Sequence, residues 1–540
     1  MSRDYKFLLI FICIINSAYG QMPDSLVRKV DAIFADYDKT NSPGCALAIL
    51  KDGKIIYERG YGMSNMEYNI AISPGSIFHV ASISKQFTAA ALVKLSLEGK
   101  LSLDDDIRKY IPEVPDFGHV ITFNHLIHHT SGLRDQWDLQ GLAGWRDDDV
   151  ITEGDIMDML ARQKALNFLP GEEYSYCNTG YTLAGIAVKR ITGVSLRVYA
   201  DSVFFKPLGM TSTHFHSDHS EITPNRTSAY VKDNKGKWKI SIPVFDNYGA
   251  TSLFTTVEDL SKWDENFYSK KIGGDAFLKA MQRTGTLNNG TTQTYASGLV
   301  IQSYKGHQTV DHGGADAGYR SYFLRFPEQH LAVVLLANLA NLNTRVAAYK
   351  VADVFIKGDR SKEPTGNVDN SKIKGWAGEY FHNQTQMIMK LNYKGEKLLM
   401  GTTVLIPSNN NSFTDPGFTS DYSFSGDSAS AKLELYTKGV GSKTLFKVKR
   451  VTLLPAALQE YTGEFYSQEL DTKYKISVKE NGLVIKIPRN DDIKLSPFTK
   501  DIFTGDFSLQ FSRDKKNKVS GFLLTTGRVR NLSFEKIDKK

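Results

Sequence analysis

A chain of 540 residues is too long for one compact core and divides into two or three domains. With 41% hydrophobic and 23% charged residues it is not a disordered chain. Residues 371–540 carry 27 Lys+Arg against 18 Asp+Glu, a surplus of nine within a total of +7, so the basic excess lies entirely in the C-terminal part. No nucleic-acid-binding motif accompanies it, and nucleic acid is not expected as a partner. A solvated strand surface accounts for such an excess; weak contact with an anionic cell-envelope polymer is the sharper alternative.

In chain order, Arg3 and Lys6, the apolar run Phe7–Ile15 and Ala18-Tyr19-Gly20 read as a signal peptide over residues 1–20. Secretion across the inner membrane is therefore expected, with a periplasmic or extracellular destination. Cys45-Ala46-Leu47-Ala48-Ile49-Leu50 and Ile55-Ile56-Tyr57-Glu58-Arg59 flank Asp52-Gly53, a strong hairpin signal. Ser82 to Leu97 reads as an amphipathic helix, with Phe87, Ala90, Ala91, Leu92 and Leu95 on its buried face and Gly99 ending it. It opens Ser82-Ile83-Ser84-Lys85, a spacing that puts hydroxyl and amine on one helix face. An amine so placed takes the proton of a nucleophilic serine if burial depresses its pKa. The same four-residue pattern recurs at Ser371, Ser512 and Ser533, where the surrounding sequence gives it no comparable setting.

Helical patterns continue to about Tyr268. Strands are expected at Gln308–Asp311, Tyr319–Phe326 and Leu331–Leu336, and a helix over Asn343–Ile356. Strands at both ends with helices between them suggest an α+β domain over residues 21–357, its antiparallel sheet built from both ends of the segment. Residues 358–374 are polar, hold Pro364 and Gly366, and read as a linker. Beyond it Trp376-Ala377-Gly378-Glu379-Tyr380 recurs as Tyr461-Thr462-Gly463-Glu464-Phe465, and Leu398-Leu399 recurs at the same offset as Leu483-Val484. Two small antiparallel β-barrel modules, 375–455 and 456–540, fit this repeat.

Three motifs in order, Ser82-x-x-Lys85, Tyr176-Cys177-Asn178 and His312-Gly313-Gly314, resemble the serine β-lactamase and penicillin-binding protein superfamily, in its class-C-like branch. Gly99-Lys100-Leu101-Ser102-Leu103-Asp104-Asp105 and His125-Leu126-Ile127-His128-His129-Thr130-Ser131-Gly132-Leu133 fit the same pattern. The resemblance covers roughly residues 40 to 357. It implies a sheet with flanking helices, an all-helical region, and a site at their junction. The paired modules after the linker resemble those of D-aminopeptidases in this superfamily.

The resemblance makes Ser82 the nucleophile and leaves Lys85 and Tyr176 as alternative bases, with Asn178 holding Lys85 and a substrate amide. The glycines Gly313 and Gly314 admit substrate backbone, and the backbone N–H groups of Ser82 and Ala315 form the oxyanion hole. His312 stands where the family has a permanently charged lysine. A histidine that lent positive charge to a substrate carboxylate would lose it as pH rises through about 6.5. The expected activity is a serine hydrolase acting on D-amino-acid peptides, amides or β-lactams, with carboxylester hydrolysis and efficient β-lactam turnover as alternatives. A catalytically idle envelope-binding protein is the non-enzyme alternative. No cofactor is implied.

Of other candidates, Cys45 and Cys177 are expected as buried free thiols, not a disulfide or a nucleophile. The triplet His125, His128 and His129 lacks a metal-helix pattern. His214, His216 and His219 are read as a loop without paired carboxylates at ligand spacing, so no metal is expected.

Overall fold

A computed structural model describes residues 22–358, 370–415, 419–480 and 482–537. The expected signal peptide and the linker residues Pro364 and Gly366 lie outside the described residues. Among the described residues no helix is long and apolar enough to cross a membrane.

The hairpin forms at Asp52-Gly53, both left-handed (φ 52° and 74°), joining strands Cys45–Lys51 and Lys54–Tyr61. It closes one end of a six-stranded antiparallel sheet ordered Val300–Tyr304, His307–Asp316, Tyr319–Phe326, Leu331–Ala337, Cys45–Lys51, Lys54–Tyr61. Side chains alternate across this sheet, and both faces are covered. Ala46, Ala48 and Leu50 pack with the helices Ser84–Leu97, Asn178–Thr192 and Val257–Ser269. Cys45, Leu47 and Ile49 pack toward the terminal helices Asp24–Phe34 and Thr344–Ala352. This double covering explains why Cys45 to Leu50 is an unbroken apolar run.

One expectation is corrected. The helix after Ser82 is not amphipathic: Lys85, Gln86, Thr88, Ala89 and Val93 are buried along with the expected apolar face. It runs through the middle of the domain, so its polar residues find their partners inside the protein. The residues Ala81–Ile83 form a 3₁₀ turn before the α-helix begins at Ser84.

The C-terminal part is two β-barrels. The first has nine strands between Gly378 and Val448; its edge strands Thr403–Val404 and Ile406–Asn409 are separated only by Leu405, so the sheet curls until it nearly closes. The second is a closed barrel of eight strands between Gly463 and Ile537. The repeat has a physical basis: Gly378 and Gly463 share φ 144°, and a Cβ there would meet Lys447 and Lys536 at 2.6 and 2.8 Å. The helix Asn370–Trp376 begins inside the segment read as linker, and its Ile373 and Trp376 sit in the first barrel's core. Ser533 falls in a barrel strand, where Lys536 three residues on points to the opposite face, and Ser512 lies at the end of another, with Lys515 in the turn that follows.

The second barrel shares a hydrophobic core with the N-terminal domain through Leu139, Leu142 and Met159. Ion pairs frame that contact: Arg528 with Asp135 and Asp138, Arg530 with Glu173, and Arg489 with Asp149. From the first barrel Lys443 also reaches Glu173. In all of these the barrel supplies the cation, so part of its basic surplus neutralises carboxylates of the N-terminal domain. Arg134–Glu469, at 2.5 Å, has the reverse polarity and is nearly solvent-free, with side chains 1% and 6% exposed.

Arg134→Met strands a buried carboxylate and is expected to destabilise the docked protein by about 3–5 kcal/mol. Arg489→Met, at a solvent-exposed pair, is expected to leave stability essentially unchanged. Denaturation midpoints of the two variants check this contrast.

Candidate active site

Ser82 sits on the 3₁₀ turn, and the residue before it, Ala81, is held left-handed at φ 48°. A non-glycine residue held in that region is strained, and the packing around it has to impose the conformation. The strand His307–Asp316 runs alongside. A Cβ on Gly314 would lie 2.3 Å from the Val80 carbonyl and 3.0 Å from the Ser82 amide nitrogen, so only glycine permits this approach.

Lys85 is fully buried on the first turn of the helix. Its Nζ is 3.1 Å from Ser82 Oγ, 2.9 Å from Asn178 Oδ1 and 2.7 Å from the Ala250 carbonyl. Desolvation outweighs the neighbouring Asp316 and Asp135 and lowers its pKa to about 7. A neutral amine has two hydrogens and one lone pair, which suits two obligate acceptors and one hydroxyl donor. Asn178 is oriented for this: its Nδ2 donates to Asp135 Oδ2 at 2.9 Å, which turns Oδ1 toward Lys85.

Tyr176 lies over the same amine, with Nζ 4.8 Å from its ring centre. Burial pushes its phenol well above the ordinary value, with a Ser82 hydrogen bond opposing. Its ring packs on buried His129 at 4.2 Å, and His129 Nδ1 accepts from the Cys177 amide at 3.0 Å. Ser82, Tyr176, Asn178, Gly313, Gly314 and Ala315 line one cleft of about 2110 Å³. Its far wall comes from the second barrel, including Phe507, Thr526, Gly527 and Arg528.

A profile of the β-lactamase family matches residues 30–354. The chain belongs to that family. It is 23% identical over 521 residues to a D-aminopeptidase of Brucella anthropi, covering 92% of this chain and 96% of that protein. Over 348 residues it is 27% identical to protein flp of Staphylococcus aureus, covering 60% of this chain and 67% of that one. Among solved structures, an octameric penicillin-binding protein homologue from Pyrococcus abyssi shares the fold, with TM-score 0.57 and 23% identity over 78% of this chain and 99% of that chain. The chain is thus a β-lactamase-fold hydrolase related to D-aminopeptidases.

Two sequence expectations change. His312 was expected to face substrate, with a pKa near 6.5 if unperturbed. It is instead buried, is not among the cleft-lining residues, and has both ring nitrogens engaged, by Tyr295 Oη at 2.8 Å and the Gly313 carbonyl at 2.6 Å. Desolvation, with the nearby Lys85, lowers its pKa to about 4. The ring is a neutral spacer packed behind the glycines. The His214–His219 segment, read as a loop without paired carboxylates at ligand spacing, gains them through the fold: His216 Nδ1 is 3.4 Å from His214 Nε2 and 3.6 Å from Glu221, and His219 pairs with Asp246 at 2.9 Å. Glu221 is itself held by Arg197 at 2.5 and 2.7 Å.

Cys45 and Cys177 are free and buried, as expected, and burial pushes the Cys177 thiol up to about 12. His125 forms a capping box with Thr122, and His128 is held between the Asn124 and Arg283 carbonyls. Sequence reasoning does not single out Asp135 or Arg528. Asp135 offered only the local signal of a helix N-cap, which it is, and Arg528 offered none.

Because His312 is neutral, kcat/KM for carboxylate-bearing substrates should show no component lost between about pH 5.5 and 7.5, where an ordinary histidine titrates. Parallel pH profiles for a carboxylate substrate and its neutral amide check this; a loss confined to the carboxylate substrate contradicts it.

Proposed function

We propose that the protein is an exported serine hydrolase that forms an acyl-enzyme at Ser82 and acts first on D-amino-acid amides and peptides. The observation that carries the reading is the solvent-free Lys85 amine, with its pKa near 7, 3.1 Å from Ser82 Oγ. Ser82 Oγ attacks the carbonyl carbon as its proton passes to the Lys85 lone pair. The Ser82 and Ala315 N–H groups receive the oxyanion, and Tyr176, which keeps its proton at neutral pH, donates to the leaving amine. The Tyr176 phenolate is then reprotonated from Lys85, which restores the neutral amine. Water releases the acyl group.

The environments of the two alternative bases support this assignment: burial favours the neutral form of each, and the neutral form is a base for lysine and an acid for tyrosine. Export is supported by the N-terminal run from Arg3 to Gly20. The D-amino-acid preference is supported by the full-length similarity to a D-aminopeptidase. The absence of a cation at His312 supports placing penicillins behind amides and esters.

A fluorophosphonate probe should label the full chain and not Ser82→Ala, and equal labelling of both contradicts a Ser82 nucleophile. On D-Ala-p-nitroanilide, a D-Ala-D-Ala peptide, p-nitrophenyl butyrate and nitrocefin, kcat/KM is expected to be highest for one of the first two. A lead for nitrocefin by a factor of about a hundred, near 2.7 kcal/mol in barrier, would overturn the substrate assignment.

A further inference from the structure

The turn Gly527-Arg528 of the second barrel lies directly against the N-terminal domain. The Arg528 N–H donates to Asp138 Oδ2 at 2.8 Å, and its carbonyl accepts from Asn167 Nδ2 at 2.8 Å. A Cβ on Gly527 would fall 2.7 Å from Asp138 Oδ2. Arg528 Nη2 is 2.9 Å from Asp138 Oδ1, and Nη1 is 3.3 Å from Asp135 Oδ2. Asp135 is solvent-free, and the same oxygen accepts from the backbone N–H of Asn178 at 2.6 Å and its Nδ2 at 2.9 Å.

We propose that Arg528 is a positioning residue of the active site: its guanidinium pairs with Asp135, Asp135 fixes the Asn178 amide, and Asn178 aims Lys85 at Ser82. The inference rests on the serine-hydrolase reading above. Its consequence is that the N-terminal domain's site is completed only when the second barrel is docked.

The electrostatics agree in sign. Burial pushes the Asp135 carboxyl up and Asp138 adds to this, while Arg528 opposes them. The charged groups facing Lys85 are Asp316, Asp135 and Arg528; the Cys177 thiol and the imidazoles of His129 and His312 face it in neutral form. The Tyr176 and Tyr181 phenols above Lys85 stay protonated. Without the Arg528 charge, either Asp135 stays ionised and Lys85 holds its proton to higher pH, or Asp135 protonates and Asn178 loses an acceptor. The first outcome moves the acid limb of acylation to higher pH; the second slows acylation by freeing the Asn178 amide and, with the Asp135 charge gone, moves the limb the other way.

The test uses the full chain and the rate of fluorophosphonate labelling from about pH 5 to about pH 9, with melting followed in parallel. Arg528→Gln is expected to label about tenfold more slowly at neutral pH, the size of one lost charge-assisted hydrogen bond, with its acid limb displaced from that of the wild type. Arg528→Lys should restore the limb, and Arg489→Met, at an ion pair of the same interface, should leave both rate and profile unchanged. The proposal is overturned if Arg528→Gln keeps the wild-type rate and limb, or if Arg489→Met slows labelling equally. Should the glutamine variant not fold, the lysine variant decides: a wild-type limb supports the proposal, and a displaced limb, with the charge still in place, overturns it. A wild-type chain that takes no label refutes the serine-hydrolase reading instead.

Discussion

An amine removed from water and given two carbonyl-type acceptors and one hydroxyl has little reason to hold a third proton. Lys85 is in that situation, and much of the N-terminal domain maintains it. The helix that carries it is buried on every side, Ala250 and Asn178 supply the acceptors, and the strained turn at Ala81 places the Ser82 hydroxyl at the remaining lone pair. The glycine at 314 lets a sheet strand close over the same point. Take away the burial and the lysine becomes an ordinary ammonium that cannot accept the serine proton.

The C-terminal barrels extend this logic beyond the N-terminal domain. Their positive surplus faces carboxylates at Asp135, Asp138, Asp149 and Glu173, and one of those carboxylates is the anchor of Asn178. The barrels thus form a wall of the cleft and supply countercharge to its interior. A charge asymmetry that looked like a solvated surface is in part complementarity between domains.

Much of this was legible in the sequence wherever the determinant is local. Ser82 and Lys85 are one helical turn apart, Asp52-Gly53 dictates its own turn, and Tyr176 and Asn178 are neighbours. The repeat at Gly378 and Gly463 reflects the same backbone geometry in both barrels. What could not be read depends on contacts between distant segments. Arg528 and Asp138 are 390 residues apart, and no periodicity signals their pairing. His312 was misjudged because its environment is set by Tyr295 and by the strand's burial, neither of which belongs to the motif. Glu221 approaches His216 only through the fold of its loop. The all-round burial of the nucleophile's helix follows from its place between sheet and helical region, which an apolar stripe on one face does not reveal.

The central claim is a state of charge, and it can be read directly. Titrating the full chain labelled with [15N]lysine by NMR, with the Lys85 resonance assigned by its loss in Lys85→Met, should give a midpoint at about 7. A midpoint near the ordinary lysine value of about 10.4 would contradict the account, because the amine would then be charged at neutral pH and unable to take the Ser82 proton.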